Sequence, residues 1–154
     1  MPDGLNSNQP PTEAIIAVTL NCNARCVMCN IWKNKIPREV NPDIYLKLLS
    51  SLTTINITGG EPFLRNDLPE IVENMKKACP KARLIINTNG YLVSQIKKII
   101  PPLLKTDSHL ALRVSLDGMG KMHDEIRRLP FFYEKAMESL AFCRKAGIKD
   151  LGIS

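Results

Sequence analysis

The sequence has few aromatic residues and contains no hydrophobic run of transmembrane length. Tyr, Trp and Phe make up only 5% of the 154 residues, which leaves few rings on which nucleic-acid bases could stack. The net charge of +6 comes largely from scattered basic residues, a pattern typical of solvated helix faces. We therefore expect neither a nucleic-acid surface nor a membrane span.

The sequence also lacks the features of a secreted protein. Its first twelve residues are polar and contain Pro10 and Pro11, without the apolar segment of a signal peptide. Five cysteines is an odd number and three of them are clustered, which disfavours a disulfide scaffold. We expect a flexible lead at residues 1–12, one domain at residues 13–154, and a cytoplasmic location.

Three cysteines stand close together after an apolar stretch at residues 14–20. Cys22, Cys26 and Cys29 have the spacing Cys-x-x-x-Cys-x-x-Cys, and a short loop can turn all three thiolates toward one inorganic centre. Thiolates select zinc, copper or an iron–sulfur cluster. A structural zinc ion has four ligands and a [4Fe–4S] cluster normally has four cysteines. Three thiolates leave one metal position open, and open positions are where metal sites do chemistry.

Strand-like apolar runs alternate with helical patterns along the chain. Strands are predicted at residues 14–20, 53–58, 83–87, 110–116 and 150–154. Helices are predicted at residues 41–51, 67–78, 92–100 and 132–146. The first run is apolar almost throughout, which predicts a strand buried on both faces. Pro101-Pro102 should end the third helix, and Gly147 should cap the fourth.

This alternation predicts a parallel sheet with right-handed crossovers, either doubly wound or barrel-like. Every segment that carries chemistry directly follows a strand, at residues 22–29, 59–62, 88–90 and 115–118. In a parallel sheet these segments share the carboxyl edge, where α/β proteins place their sites. Because a curved sheet brings all four together, we predict a partial (β/α) TIM-like barrel of four βα units plus the start of a fifth strand.

The cysteine triplet, together with Gly59-Gly60-Glu61-Pro62 after the second strand, resembles the radical S-adenosylmethionine (radical SAM) superfamily. The resemblance runs from about residue 12 to residue 154. It implies that the three cysteines ligate three irons of a [4Fe–4S] cluster and that S-adenosylmethionine chelates the fourth. Reductive cleavage of this cofactor then yields a 5′-deoxyadenosyl radical, which abstracts a hydrogen from the substrate.

The resemblance also implies roles for residues after the second, third and fourth strands. Gly59, Gly60 and Glu61 are expected at the methionine end of S-adenosylmethionine, with Glu61 as the charged partner of its ammonium group. Further cofactor contacts are expected from Thr88, Asn89, Ser115 and Arg127. Ordinary turn roles for Thr88 and Asn89, and a surface salt bridge for Arg127, stay open as alternatives.

Two departures from the family pattern affect the expected activity. Met28 stands where the family usually has an aromatic residue, and the chain stops at its fifth strand where the family core has six βα units. We therefore expect an incomplete core that is poorly active by itself.

Within the family, the sequence is closest to SPASM-type enzymes that mature peptides and cofactors. An electron donor such as flavodoxin or ferredoxin is the implied partner, and a peptide or cofactor precursor is the implied substrate. The alternatives are a non-catalytic zinc or iron–sulfur module and a tRNA-modifying enzyme of the same superfamily.

Overall fold

The computed structural model describes residues 9–34 and 39–154, in which five β-strands alternate with helices. The strands are β1 Glu13–Thr19, β2 Thr54–Gly59, β3 Arg83–Thr88, β4 Ala111–Val114 and β5 Asp150–Ile153. The α-helices are α1 Leu68–Ala78, α2 Val93–Thr106, α3 Lys121–Arg127 and α4 Phe132–Lys145. Most of the predicted lead, residues 1–8, lies outside the described residues. The division into residues 1–12 and 13–154 stays a prediction.

All five strands are parallel, and their order across the sheet is the order of the chain. A doubly wound sheet reverses its strand order at a switch point, whereas a barrel adds each strand beside the last. The sequential order therefore confirms the predicted arc of a (β/α) barrel. Within the described residues, β1 and β5 are the two edges of this arc.

The two faces of the sheet differ in polarity because strand side chains alternate. Ile57, Ile86 and Val114 are fully buried in one core with the apolar stripes of the helices. Thr58 and Asn87, the next residues along β2 and β3, belong to the opposite face and are half-buried. The chain thus builds its core on the helix side and leaves polar groups on the other side near the strand ends.

Strand β1 is less buried than its sequence predicts. Ile15 is 78% exposed, and burial is complete only at the end of the strand, at Val18 and Thr19. The prediction of a strand buried on both faces is wrong for the first half of β1, because only one face is covered: Ala14 and Ile16 pack against the core, whereas Ile15 and Ala17 on the opposite face are exposed.

Two helix predictions need correction. Helix α2 continues through Pro101 and Pro102 to Thr106, although prolines normally end a helix. The prolines lie on the side that is exposed or half-exposed, while the opposite side is anchored in the core by Ile96, Ile99, Ile100 and Leu103. The helix predicted at residues 41–51 is a 3₁₀ helix, Pro42–Lys47, with the expected cap from Asn41.

The C-terminal half contains one predicted and one unpredicted feature. Gly147 follows the last turn of α4 with a φ of +102°, which confirms its predicted role in ending that helix. Helix α3 was not predicted as a separate helix.

No helix in residues 9–34 and 39–154 combines the length and apolar character needed to cross a membrane.

Replacing Ile57 by alanine should lower the free energy of unfolding by about 2–5 kcal/mol, because it leaves a cavity in a fully buried position. Ile15→Ala on the neighbouring strand is the control, since its side chain is 78% exposed and should change stability by only about 0.5 kcal/mol. Urea unfolding followed by circular dichroism measures both, and similar losses for the two variants would contradict this description of the core.

Candidate functional site

A cavity of about 300 Å³ opens beside the carboxyl ends of β1 to β4. Nine of the residues predicted from the sequence line it: Cys22, Cys26, Cys29, Gly59, Gly60, Thr88, Asn89, Ser115 and Arg127. The lining also includes Met28, Ile31, Thr58, Asn87 and Asp117. Loops that are distant in sequence therefore meet at one site, as the curved sheet predicts. Glu61 is the predicted site residue that does not line the cavity.

A larger cavity of about 500 Å³ lies between α4 and β5. Its lining is mainly apolar, from residues such as Met137, Leu140 and Ile153, and includes no cysteine, histidine or carboxylate. This larger cavity therefore offers no metal ligands of these types, in contrast to the smaller cavity at the strand ends.

The cysteine loop, residues 20–30, directly follows β1 and presents three free thiols to the cavity wall. Cys26 is buried, whereas Cys22 and Cys29 are half-buried. Each Sγ has a nitrogen donor nearby: Ile31 N at 3.5 Å from Cys29, Arg127 Nη1 at 3.5 Å from Cys26, and Asn89 Nδ2 at 4.0 Å from Cys22. Such donors stabilise thiolate ligands and tune iron–sulfur clusters, so this donor set fits a cluster with three protein ligands.

The spacing of the thiols differs from that of a single-ion site. In residues 9–34 and 39–154, no three Cys, His, Asp or Glu side chains lie close enough to bind one metal ion together. A cluster distributes its thiolates over separate irons, so its sulfurs need not converge on one point. Burial raises the pKa of the Cys22 thiol above its ordinary value, and metal binding has to displace this proton.

The glycine pair brings the end of β2 against the start of the cysteine loop. Gly60 N donates to Thr19 O and Glu61 N donates to Asn21 O, both at 2.8 Å. A Cβ on Gly60 would lie 2.0 Å from Asn21 O, and Gly59 has a φ of +135°. Only glycine permits this close approach of two backbones. The pair therefore fixes the cysteine loop relative to β2, in addition to lining the cavity.

Glu61 is fully buried behind the cavity wall, where it joins two strand ends. Its Oε1 accepts hydrogen bonds from Phe63 N at 3.1 Å and Thr88 Oγ1 at 2.8 Å, and its Oε2 accepts one from Asn89 N at 2.7 Å. Both oxygens are thus engaged by protein donors, rather than directed into the cavity toward an ammonium group. Burial raises the pKa of Glu61 to about 6, although these hydrogen bonds favour its ionised form.

Asn89 links the third strand to the cysteine loop. Its Nδ2 donates to Asn23 Oδ1 at 2.8 Å, and its Oδ1 accepts from Tyr91 N at 2.9 Å. Thr88 Oγ1 donates to Glu61 and accepts from Gly90 N. The turn geometry left open by the sequence is therefore present, and the same residues also line the cavity.

The loop after β4 contributes a carboxylate that the sequence did not single out. Asp117 Oδ2 lies 2.5 Å from Arg127 Nε, and this ion pair stands at the cavity wall beside Ser115. The salt bridge considered above for Arg127 is therefore present, but it lies at the cavity wall with the Arg127 side chain only 12% exposed. Asp117-Gly118 reads as an ordinary turn pair in the sequence, so only its position after a strand could have indicated this role.

Two residues close to the last cysteine, Met28 and Trp32, differ in their contacts. Met28, which replaces the usual aromatic residue, lines the cavity and is 60% exposed. Trp32 Nε1 donates to Cys29 O at 2.8 Å. The indole thus holds the backbone of the third cysteine in place.

A family model described as the radical SAM superfamily matches residues 16–154. The chain belongs to this superfamily, whose enzymes use a [4Fe–4S] cluster together with S-adenosylmethionine.

Two curated relatives that match most of this chain are longer than it. Fe-coproporphyrin III synthase of Methanosarcina barkeri is 30% identical over 139 residues, which cover 86% of this chain and 34% of the synthase. GTP 3′,8-cyclase of Aliarcobacter butzleri is 30% identical over 143 residues, covering 87% of this chain and 43% of the cyclase. The chain thus spans less than half the length of these relatives.

Two solved structures share the fold. Streptococcus suis SuiB bound to S-adenosylmethionine has a TM-score of 0.75 and 19% identity, covering 93% of this chain and 33% of SuiB. BtrN in complex with AdoMet and 2-DOIA has a TM-score of 0.63 and 24% identity, covering 94% of this chain and 57% of BtrN. At the level of the superfamily, the predicted family, fold and cofactors are confirmed.

Replacing Gly60 by alanine should lower the free energy of unfolding by about 1–3 kcal/mol, because the new methyl group overlaps the backbone of the cysteine loop. Gly118→Ala is the control, since its Cβ would meet only the flexible side chain of Met122, at 2.9 Å. Urea unfolding compares the two variants, and equal midpoints would contradict the role assigned to Gly60.

The pH dependence of stability should reveal the buried carboxylate of Glu61. Because burial raises its pKa from 4.5 to about 6, the folded state holds the proton more tightly, and stability falls as the pH rises through this window. The shift corresponds to about 2 kcal/mol. In urea unfolding, the wild type should therefore lose about this much stability relative to Glu61→Gln, which cannot titrate at this position, as the pH rises. A constant difference would exclude the raised pKa.

Proposed function

We propose that this chain is the part of a radical SAM enzyme that binds the [4Fe–4S] cluster through Cys22, Cys26 and Cys29 and holds S-adenosylmethionine beside it. The observation that carries the proposal is the presence of three free thiols on one cavity wall with Gly59 and Gly60. Three cysteine ligands leave one iron for the amino and carboxylate groups of S-adenosylmethionine. When bound, the cluster and this cofactor would supply radical chemistry: one electron from the reduced cluster would split S-adenosylmethionine into methionine and a 5′-deoxyadenosyl radical.

The protein's own residues would then position the cofactor. Gly59 and Gly60 bring backbone to the cavity wall, where carbonyl groups suit the methionyl ammonium. The hydroxyl of Ser115 and the amide of Asn87, both in the wall, offer partners for ribose and carboxylate oxygens. Glu61 acts from outside the cavity, because its three hydrogen bonds hold the loops after β2 and β3 in place relative to each other.

The substrate that we propose is a cofactor precursor or a peptide. Relatives named as an Fe-coproporphyrin III synthase and an AdoMet-dependent heme synthase support the first class. A SuiB structure bound to its precursor peptide SuiA illustrates the second on the same fold. We further propose an acidic one-electron donor, a flavodoxin or ferredoxin, and a cytoplasmic location in keeping with the free cysteines.

Anaerobic reconstitution with iron and sulfide tests the proposal directly. The protein should take up four irons and four sulfides per chain, as a [4Fe–4S] cluster requires, and should form 5′-deoxyadenosine from S-adenosylmethionine after chemical reduction. Uptake of a single zinc ion, with no iron–sulfur absorption and no deoxyadenosine, would reject it in favour of a structural metal module.

Replacing Cys26 by alanine should abolish cluster uptake, because two thiolates leave two irons without protein ligands. Cys143→Ala is the matched control: this thiol is also free but is fully buried in the core among apolar residues. Iron and sulfide analysis of the reconstituted variants gives the comparison. Full iron content in Cys26→Ala, or its loss in a folded Cys143→Ala protein, would contradict the ligand assignment.

A further inference from the structure

Helix α3 is bonded directly to the cysteine loop, although about a hundred residues separate them in sequence. Val27 N donates to Ile126 O at 2.9 Å, and Arg25 N donates to Arg127 O at 3.3 Å. These two bonds flank Cys26, so the last turn of α3 fixes the backbone on both sides of the central cysteine. The sheet does not supply this contact, because the bonds join the cysteine loop to helix α3, both of which lie outside the strands.

The side chain of Arg127 extends the same contact to the sulfur. Its Nη1 lies 3.5 Å from Cys26 Sγ, while its Nε pairs with Asp117 Oδ2 at 2.5 Å. The guanidinium also stands over the Phe132 ring, 5.9 Å from its centroid. With a side chain only 12% exposed, Arg127 is held from three directions and cannot turn to solvent without breaking these contacts.

Asp117, the acidic partner in this ion pair, is held by a buried residue, His123. Asp117 N donates to His123 Nδ1 at 3.1 Å, and His123 is fully buried against Phe132 at a centroid distance of 5.2 Å. Helix α3 therefore fixes both partners, Arg127 through its backbone and Asp117 through His123.

The three cysteines do not receive equivalent donors. The donors near Cys29 and Cys22 are neutral, the backbone N–H of Ile31 and the amide of Asn89. Cys26 alone among them has a cationic donor in these contacts. Charge-assisted hydrogen bonds are roughly twice as strong as neutral ones, and hydrogen bonds to sulfur set the potentials of iron–sulfur clusters.

We propose that Arg127 is a positioning residue that raises the reduction potential of the cluster by donating to the Cys26 sulfur from a site fixed by helix α3. This inference rests on the proposed function, because it requires the cluster. One-electron reduction adds negative charge to the cluster and its thiolates, and a fixed cationic donor stabilises the reduced form more than the oxidised form. The role acts through a ligand, and it is separate from any contact between Arg127 and S-adenosylmethionine.

Potentiometric titration of the reconstituted protein, followed by electron paramagnetic resonance, tests this proposal. The Arg127→Met variant should bind the cluster through its intact cysteines but have a more negative midpoint potential than the wild type. Arg127→Lys, which keeps the charge, should have a midpoint potential between those of the wild type and Arg127→Met. Arg25→Met is the matched control, since it removes the same charge from the cysteine loop at a side chain that stands over Trp32, 5.8 Å from its ring centroid.

The proposal would be overturned if the midpoint potential shifted no further in Arg127→Met than in Arg25→Met. If Arg127→Met assembles no cluster, Arg127→Gln takes its place under the same criterion, because it keeps an N–H donor without the charge. Failure of the wild type to assemble a cluster would overturn the proposed function and this inference together. A normal cluster with equal potentials in all variants would reject this inference alone.

Discussion

The buried carboxylate of Glu61 joins the parts of the chain on which the site depends. Its hydrogen bonds to Phe63, Thr88 and Asn89 tie the end of β2 to the end of β3 in the protein interior. Asn89 in turn donates to Asn23 in the cysteine loop, and the Gly59-Gly60 pair brings the same loop against β2. A buried carboxylate is tolerated only when its oxygens are satisfied, so this network specifies one arrangement of three loops.

A second connection completes the site from the other side. Helix α3 bonds to the backbone around Cys26, and the Arg127–Asp117 ion pair links that cysteine to the loop after β4. The cysteine loop is therefore held between β2 and β3 on one side and α3 on the other. Sequential parallel strands make both connections possible, because their carboxyl ends lie along one curved edge.

Local patterns in the sequence predict the strands and most helices, because these depend on short-range periodicity, and they place the three cysteines directly after β1, where they line the cavity. The path of α2 through Pro101 and Pro102 was not predictable in this way, since burial of one helix face outweighs the local preference of proline. The contacts of Glu61 and Asp117 were also not predictable from local patterns. Their partners lie 27 and 10 residues away, at Thr88 and Arg127, and only the folded sheet brings them together.

The most direct test of the central claim is the electron paramagnetic resonance spectrum of the reduced, reconstituted protein, recorded with and without S-adenosylmethionine. If Cys22, Cys26 and Cys29 hold a cluster with one iron open to the cavity, adding the cofactor should change the g-values. When the cofactor carries ¹⁵N and ¹⁷O in its amino and carboxylate groups, these nuclei should show hyperfine couplings to the unpaired electron of the reduced cluster. An unchanged spectrum without such couplings, in a protein that binds the cofactor, would contradict the account.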